Sequence, residues 1–206
     1  MNIFLYILDG LSDWEIGFLT AEIYSGRYLR KNIEKPLIIK VGKSLNPIKT
    51  MGGMEITPDI DIKAVKMQEN DLLLLPGADA WLIENNDEVL NFIRQNMAKN
   101  VIIAAICGAT IAMANFGLLN GIRHTSNDLG YLKMACPNYK GGEFYCNQPV
   151  VVENNVITAT GIAPLEFAYE VFKKLNIMGR ETVEAWYNLY NTKESKYFLE
   201  LMGSLE

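Results

Sequence analysis

The run Asp71-Leu72-Leu73-Leu74-Leu75-Pro76-Gly77 constrains this chain most. Four consecutive leucines show no alternation of polar and apolar residues, so a strand built from them has no face to give to water. Such a strand needs apolar cover on both sides, a condition met by a parallel sheet between layers of helices. The rest of the sequence fits that frame. Strand-like runs at 3–8, 37–41, 71–75 and 101–106 alternate with helical patterns at 14–30, 87–99 and 108–116. The expected class is α/β with a mostly parallel sheet and short connections.

Local signals mark the element ends. Ser12-Asp13-Trp14-Glu15 matches the S-x-x-E capping box, in which hydroxyl and carboxylate each satisfy a free backbone amide of the first turn. "NNDEVLNFIRQNMAKN" opens with Asn and acids and closes with Lys, in keeping with the helix dipole. "GIRHTSNDLGYLK" reads as strand, cap and short helix, and "PVVVENNVITAT" as two strands around an Asn-Asn turn. Residues 164–175 space Leu165, Ala168, Phe172 and Leu175 as one buried helical face. The tail from 181 to 201 holds one or two further amphipathic helices. No repeat or linker divides the chain, so one domain over 1–206 is expected, with a core at about 1–176 and C-terminal helices at about 180–203.

Composition narrows the function classes. Half of the 206 residues are hydrophobic, enough for a sizeable core, and the formal charge is -5 with the basic residues scattered. That argues against nucleic acid as a partner, since phosphate binding needs clustered Lys and Arg. No apolar run reaches the roughly 20 residues that span a bilayer, and "MNIFLYILDG" lacks the basic start of a signal peptide. A cytoplasmic protein without a membrane partner is expected. Three widely spaced cysteines and a single histidine, His124, suggest reduced thiols, no metal site and no cofactor.

One thiol stands out by position. In "AAICGAT", Cys107 falls where a parallel strand ends and a helix begins, at the sheet edge on which open α/β folds build their sites. On a tight strand-to-helix turn its side chain would be lifted clear of the sheet, with Gly108 admitting close backbone, and the helix N-terminus would lower the thiol pKa below about 8.5. Alternatively, a small buried Cys fills the junction and does nothing more. Cys136 and Cys146 lack such a setting.

At this point "AAICGAT", "LLLLPGA", "ILDGLSDWE" and "VITATGIAPLEFA", in that order, resemble the ThiJ/PfpI superfamily, relatives of class I glutamine amidotransferase domains, over about residues 1–176. The branch that the chain resembles most carries bacterial proteins labelled intracellular proteases or amidases. The resemblance implies a flavodoxin-like three-layer α/β/α sandwich, a reactive cysteine on a nucleophile elbow, and a homodimer. Activities in the superfamily range over proteolysis, glyoxalase-type hydration, isocyanide hydration, chaperoning and oxidation sensing.

The resemblance also assigns roles. Cys107 matches the nucleophile and Glu15 its acidic partner, with the capping box as the competing use of Glu15. Ala78 and Gly108 match the backbone amides that hold an oxyanion, and Gly77 either supports that loop or simply turns the chain. The position after the nucleophile, histidine in some members, is Gly108. The histidine that others carry after the next strand falls on Asn127. His124 lies three residues earlier, and it is either the base, if the loop turns it inward, or a structural residue. Asp128 is read as a helix cap, Trp14 as packing or a pocket wall, Gly52-Gly53 as a turn, and Glu166 as support for a helix start.

Two readings follow. One is a cysteine-dependent enzyme, hydrolase or glyoxalase-like, acting on a small carbonyl or amide-like substrate. The other is a non-enzymatic oxidative-stress sensor or chaperone-like protein working through oxidation of Cys107. A glutamine amidotransferase or conventional protease is disfavoured, because no histidine follows residue 124.

Overall fold

The four leucines do serve both faces of a sheet. The structure, a computed structural model, describes residues 1–205. Strand β1 (Asn2–Tyr6), β2 (Leu37–Gly42), β6 (Leu72–Leu75), β7 (Ile102–Ile106) and β9 (Val156–Ala159) run parallel; the short edge strand β5 (Ile60–Asp61) is parallel to β2, and β8 (Val150–Glu153) is antiparallel to β9. The sheet order is β5-β2-β1-β6-β7-β9-β8. Phe4, Leu73, Ile103 and Val156 share one row across it.

Alternation sends successive residues to opposite layers. Leu72 and Leu74, with Ile3, Leu5 and Ile7, enter the core under helices α1 (Asp13–Ser25), α6 (Pro164–Leu175) and α7 (Arg180–Thr192). Leu73 and Leu75, with Phe4, Tyr6 and Leu8, enter the core under α2 (Ala80–Ile83), α3 (Asp87–Met97) and α4 (Gly108–Asn115). All four leucines are fully buried, each worth about 1.5–3 kcal/mol of transfer free energy. This is the expected three-layer α/β/α sandwich.

The C-terminal α7 and α8 (Lys196–Gly203) pack on the first of these layers. Trp186 is the anchor: it is fully buried against Phe18, Phe172 and Tyr190, and its Nε1 donates to Glu22 Oε1 at 3.0 Å. The buried Glu22 is also held by two hydrogen bonds of 2.6 Å from Arg27, so its charge is paired.

Two local readings need correction. The segment before α5 (Leu129–Ala135) is not a ladder strand; His124 makes only an isolated bridge to Tyr145. The capping box does not form either. The backbone N–H of Ser12 donates to the Gly77 carbonyl (2.9 Å), and the Ser12 side chain caps nothing. The Asn-Asn hairpin and the Asp128 cap are present: Asn154 takes a left-handed φ between β8 and β9, and Asp128 Oδ1 accepts from Tyr131 N–H at 2.7 Å. A small hairpin of β3 (Ile48–Lys49) and β4 (Glu55–Ile56) turns at Gly53, whose φ is +83°.

Candidate active site

Strand β7 delivers the chain to Cys107 and α4 leaves from Gly108. Between them Cys107 adopts φ 57° and ψ -121°, a backbone conformation that costs an L residue on the order of 1–3 kcal/mol. The surroundings enforce it. Its N–H donates to Ala159 O (3.0 Å), and its carbonyl accepts from Thr110 N (3.1 Å) and Thr110 Oγ1 (2.6 Å). Thr110 Oγ1 is in turn paired with Ser126 Oγ at 2.7 Å. A strained residue held from three sides is a nucleophile elbow in the geometric sense.

Glycines let backbone close in on the side chain. A Cβ on Gly161 would stand 2.7 Å from Cys107 Sγ, and one on Gly77 would stand 2.8 Å from Cys107 Cβ and 2.7 Å from Glu15 Oε2. Gly108 faces Ala78, with its would-be Cβ 3.1 Å from the Ala78 carbonyl oxygen and 3.4 Å from the Ala78 nitrogen. Trp81 Nε1 donates to Pro76 O (2.7 Å) and holds the Pro76-Gly77-Ala78 turn in place. The Ala78 amide has no acceptor among the described residues.

Glu15 lies beneath the thiol, 1% exposed. Its Oε2 accepts from Gly77 N–H at 2.6 Å, while Oε1 lacks a well-formed hydrogen bond among the described residues. The Cys107 thiol and the Ser12 hydroxyl lie beside it. Burial raises the Glu15 pKa, against the lowering by the Gly77 amide and by its two side-chain neighbours. Burial also pushes the Cys107 thiol up, and the Glu15 charge adds to that, against the Asn127 and Gly108 amides. The lowered thiol pKa expected from a helix N-terminus is therefore overturned: the Gly108 amide does act in that direction, but burial outweighs it. Two acids that each resist ionisation beside the other form one coupled unit, in which the second proton is held more tightly than the first.

Asn127 completes the ring around sulfur. Its Oδ1 accepts from Gly161 N–H at 2.8 Å, and its Nδ2 donates to Cys107 Sγ at 3.3 Å. Because a backbone N–H can only donate, the oxygen must face Gly161, which turns the NH₂ toward sulfur.

His124 is not brought to the thiol. It is 0% exposed, with Nδ1 2.7 Å from Ile122 O and Nε2 2.7 Å from Tyr139 Oη. The carbonyl requires Nδ1 to carry the proton, so Nε2 accepts from the tyrosine and neither nitrogen is left to serve Cys107. Burial lowers the His124 pKa, which keeps the ring neutral. Cys136 is buried with its thiol toward Ile111 O, and Cys146 is half-buried with its thiol toward Phe144 O.

Against this geometry, the sequence model of the DJ-1/PfpI family matches residues 1–174. The chain belongs to that family. Among its relatives, a Bacillus subtilis protein named uncharacterized protease YoaZ is 43% identical over 204 residues, covering 99% of this chain and 97% of that protein. A glutathione-independent glyoxalase of Caenorhabditis elegans, DJR-1.2, is 28% identical over 67% of this chain and 73% of its own length. The crystal structure of a thiJ/pfpI family protein from Bacillus anthracis superposes with a TM-score of 0.96 at 46% identity, covering 100% of this chain and 98% of that one. No helix among the described residues is long and apolar enough to cross a membrane.

Within this DJ-1/PfpI frame, the α7–α8 pair lies beyond the family match, yet the site needs neither helix. Sequence reasoning missed two members of the site. In the sequence Asn127 reads only as the place of an absent histidine, and nothing in "TATGIAP" marks Gly161. Trp14, 52% exposed, reaches Gly161 O with Nε1 at 3.4 Å and so braces the loop that touches sulfur. Beyond Asn127 and that loop opens a cleft of about 310 Å³, bordered also by Gln148, Pro149 and Glu166.

Proposed function

We propose that this DJ-1/PfpI protein is a cysteine-dependent enzyme that adds Cys107 sulfur to the carbonyl of a small aldehyde or amide-like substrate. The observation that carries the reading is the half-buried Cys107 thiol above the buried Glu15 carboxyl, beside the Ala78 and Gly108 backbone. With one proton left on the pair, the thiolate attacks the carbonyl carbon and the C=O electron pair moves to oxygen. The Ala78 and Gly108 amides receive that oxyanion; removing one such donor in comparable sites costs on the order of 100–1,000-fold in rate.

Glu15 is the proton carrier, since His124 is committed to Ile122 and Tyr139. With an amide, its proton goes to the departing nitrogen as the C–N bond breaks, leaving a thioester that water cleaves to acid and free thiol. With a 2-oxoaldehyde, the proton first goes to the alkoxide to give a hemithioacetal. The Glu15 carboxylate then moves the aldehyde-carbon proton to the neighbouring carbon, so that one carbon is oxidised and the other reduced. Water releases a 2-hydroxy acid from the resulting thioester, and no outside oxidant is needed. The name of the protease relative supports the amide branch, and that of the glyoxalase relative the 2-oxoaldehyde branch. Turnover of methylglyoxal and of small amides is the test: rates equal in wild type and Cys107→Ala would remove this function.

A second reading draws on Glu15 Oε1, buried beside the thiol without a well-formed partner: the carboxyl, which burial keeps protonated, would donate its O–H to a Cys107 sulfinate formed by two equivalents of peroxide. Equal modification of Cys107, Cys136 and Cys146 under mild peroxide would dismiss it. A cytoplasmic homodimer is part of the proposal. It rests on the resemblance to the family alone, and sedimentation as a monomer would contradict it.

A further inference from the structure

The cleft of about 310 Å³ shares two walls with the thiol. Asn127 lines the cleft and touches Sγ, and Thr160 and Ile162, which also line it, flank the Gly161 that approaches sulfur. A substrate whose carbonyl sits at Cys107 therefore has this space for the rest of its structure. The volume is near the lower end of small-molecule sites, which run from about 300 to 1,000 Å³.

Its chemistry is one-sided. The carboxamides of Asn147 and Gln148 offer hydrogen bonds of either sense, Ile162 is 92% exposed at the mouth, and among the described residues the one charged side chain is Glu166. Among the described residues no Lys or Arg lines the cleft; the exposed Arg123 sits beside Cys146, outside it. Glu166, in the first turn of α6, suits the helix dipole, but it has no ion-pair partner among the described residues. A lone carboxylate among carboxamides favours a cation and repels a carboxylate or phosphate.

We propose that the cleft binds the portion of the substrate beyond the reacting carbonyl, and that this portion carries an ammonium or similar cationic group. The inference rests on the reading of Cys107 as the reacting thiol. It makes Glu166 a specificity residue, distinct from the Cys107–Glu15 machinery.

Charged thiol reagents of similar size test it without knowledge of the substrate. The probes are 2-(trimethylammonio)ethyl methanethiosulfonate and 2-sulfonatoethyl methanethiosulfonate, with neutral methyl methanethiosulfonate as reference. Modification of Cys107 is followed by peptide mapping and scaled to the reaction of each reagent with 2-mercaptoethanol. The cation-to-anion rate ratio is expected to exceed one in wild type, to fall about three-fold in Glu166→Gln and further in Glu166→Lys, and to shrink with added salt. The neutral reagent should react equally with all three proteins, which excludes a folding defect. A ratio that does not change with residue 166 overturns the proposal and leaves the reactive thiol standing. A Cys107 that resists even the neutral reagent at every pH overturns both.

Discussion

Asn127 donates from Nδ2 to Cys107 Sγ at 3.3 Å, with its carbonyl end fixed by Gly161 N–H. A carboxamide so pinned stabilises a thiolate but cannot take its proton. Hydrogen bonds to charged groups contribute about 1.5–3 kcal/mol, so Asn127→Leu should raise the thiol pKa and slow Cys107 alkylation at neutral pH by on the order of ten-fold. Asn127→Asp should slow it further, because it adds a second negative charge next to Glu15. Alkylation rates against pH decide the matter, and unchanged profiles would remove Asn127 from the account.

Gly161→Ala should cost activity out of proportion to stability. The new Cβ would meet Sγ at 2.7 Å, and overpacking of this kind costs about 1–3 kcal/mol while displacing the sulfur. Gly17, in α1 with open space around its Cβ position, is the control: Gly17→Ala should gain about 0.5–1 kcal/mol with turnover unchanged. Denaturant unfolding and turnover of the same samples separate the two effects.

His124 should matter for folding and not for turnover per folded molecule. Its folded pKa is lowered, so the unfolded chain binds the extra proton, and stability is lost as pH falls below about 6.5. His124→Gln should reduce stability at pH 8 by about 1–3 kcal/mol, because the half-buried Tyr139 hydroxyl and Ile122 carbonyl lose good partners. It should also flatten the acid side of the stability curve. Unfolding free energies at several pH values check both, and a large fall in turnover with stability intact would restore His124 as a base.

Glu15 has the opposite linkage. Its folded pKa is raised, so its contribution to stability is complete below the ordinary carboxylate value of about 4.3 and is lost as pH rises through the folded value. Glu15→Gln keeps an acceptor for the Gly77 N–H and removes the buried charge. Its unfolding midpoint at pH 8 should match or exceed wild type while turnover collapses. A destabilised but fully active variant would contradict the role given to Glu15.

The sheet was legible in the sequence because local pattern decides it: Leu72–Leu75 has one reading, and the 108–116 helix follows directly from the turn at Cys107. The partners of Glu15 were not legible by the same means. Ser12 and Glu15 carry a complete capping signal, yet the carboxylate bonds Gly77, 62 residues away, because docking of that turn takes both the Ser12 amide and the Glu15 side chain. Likewise the face shown by His124 depends on where a strand ends. The chain there makes only one bridge, and Asn127 rather than His124 reaches the sulfur. Gly161 left no signal in one sequence, since its role is an empty volume beside Sγ.

The shared proton of Cys107 and Glu15 is the centre of the account, and the pH dependence of Cys107 alkylation by iodoacetamide in wild type and Glu15→Gln measures it. Removing the neighbouring charge should move the midpoint of the Glu15→Gln profile to lower pH, because the Glu15 carboxylate raises the thiol pKa. Superimposable profiles would show that the two groups titrate independently and would contradict the mechanism.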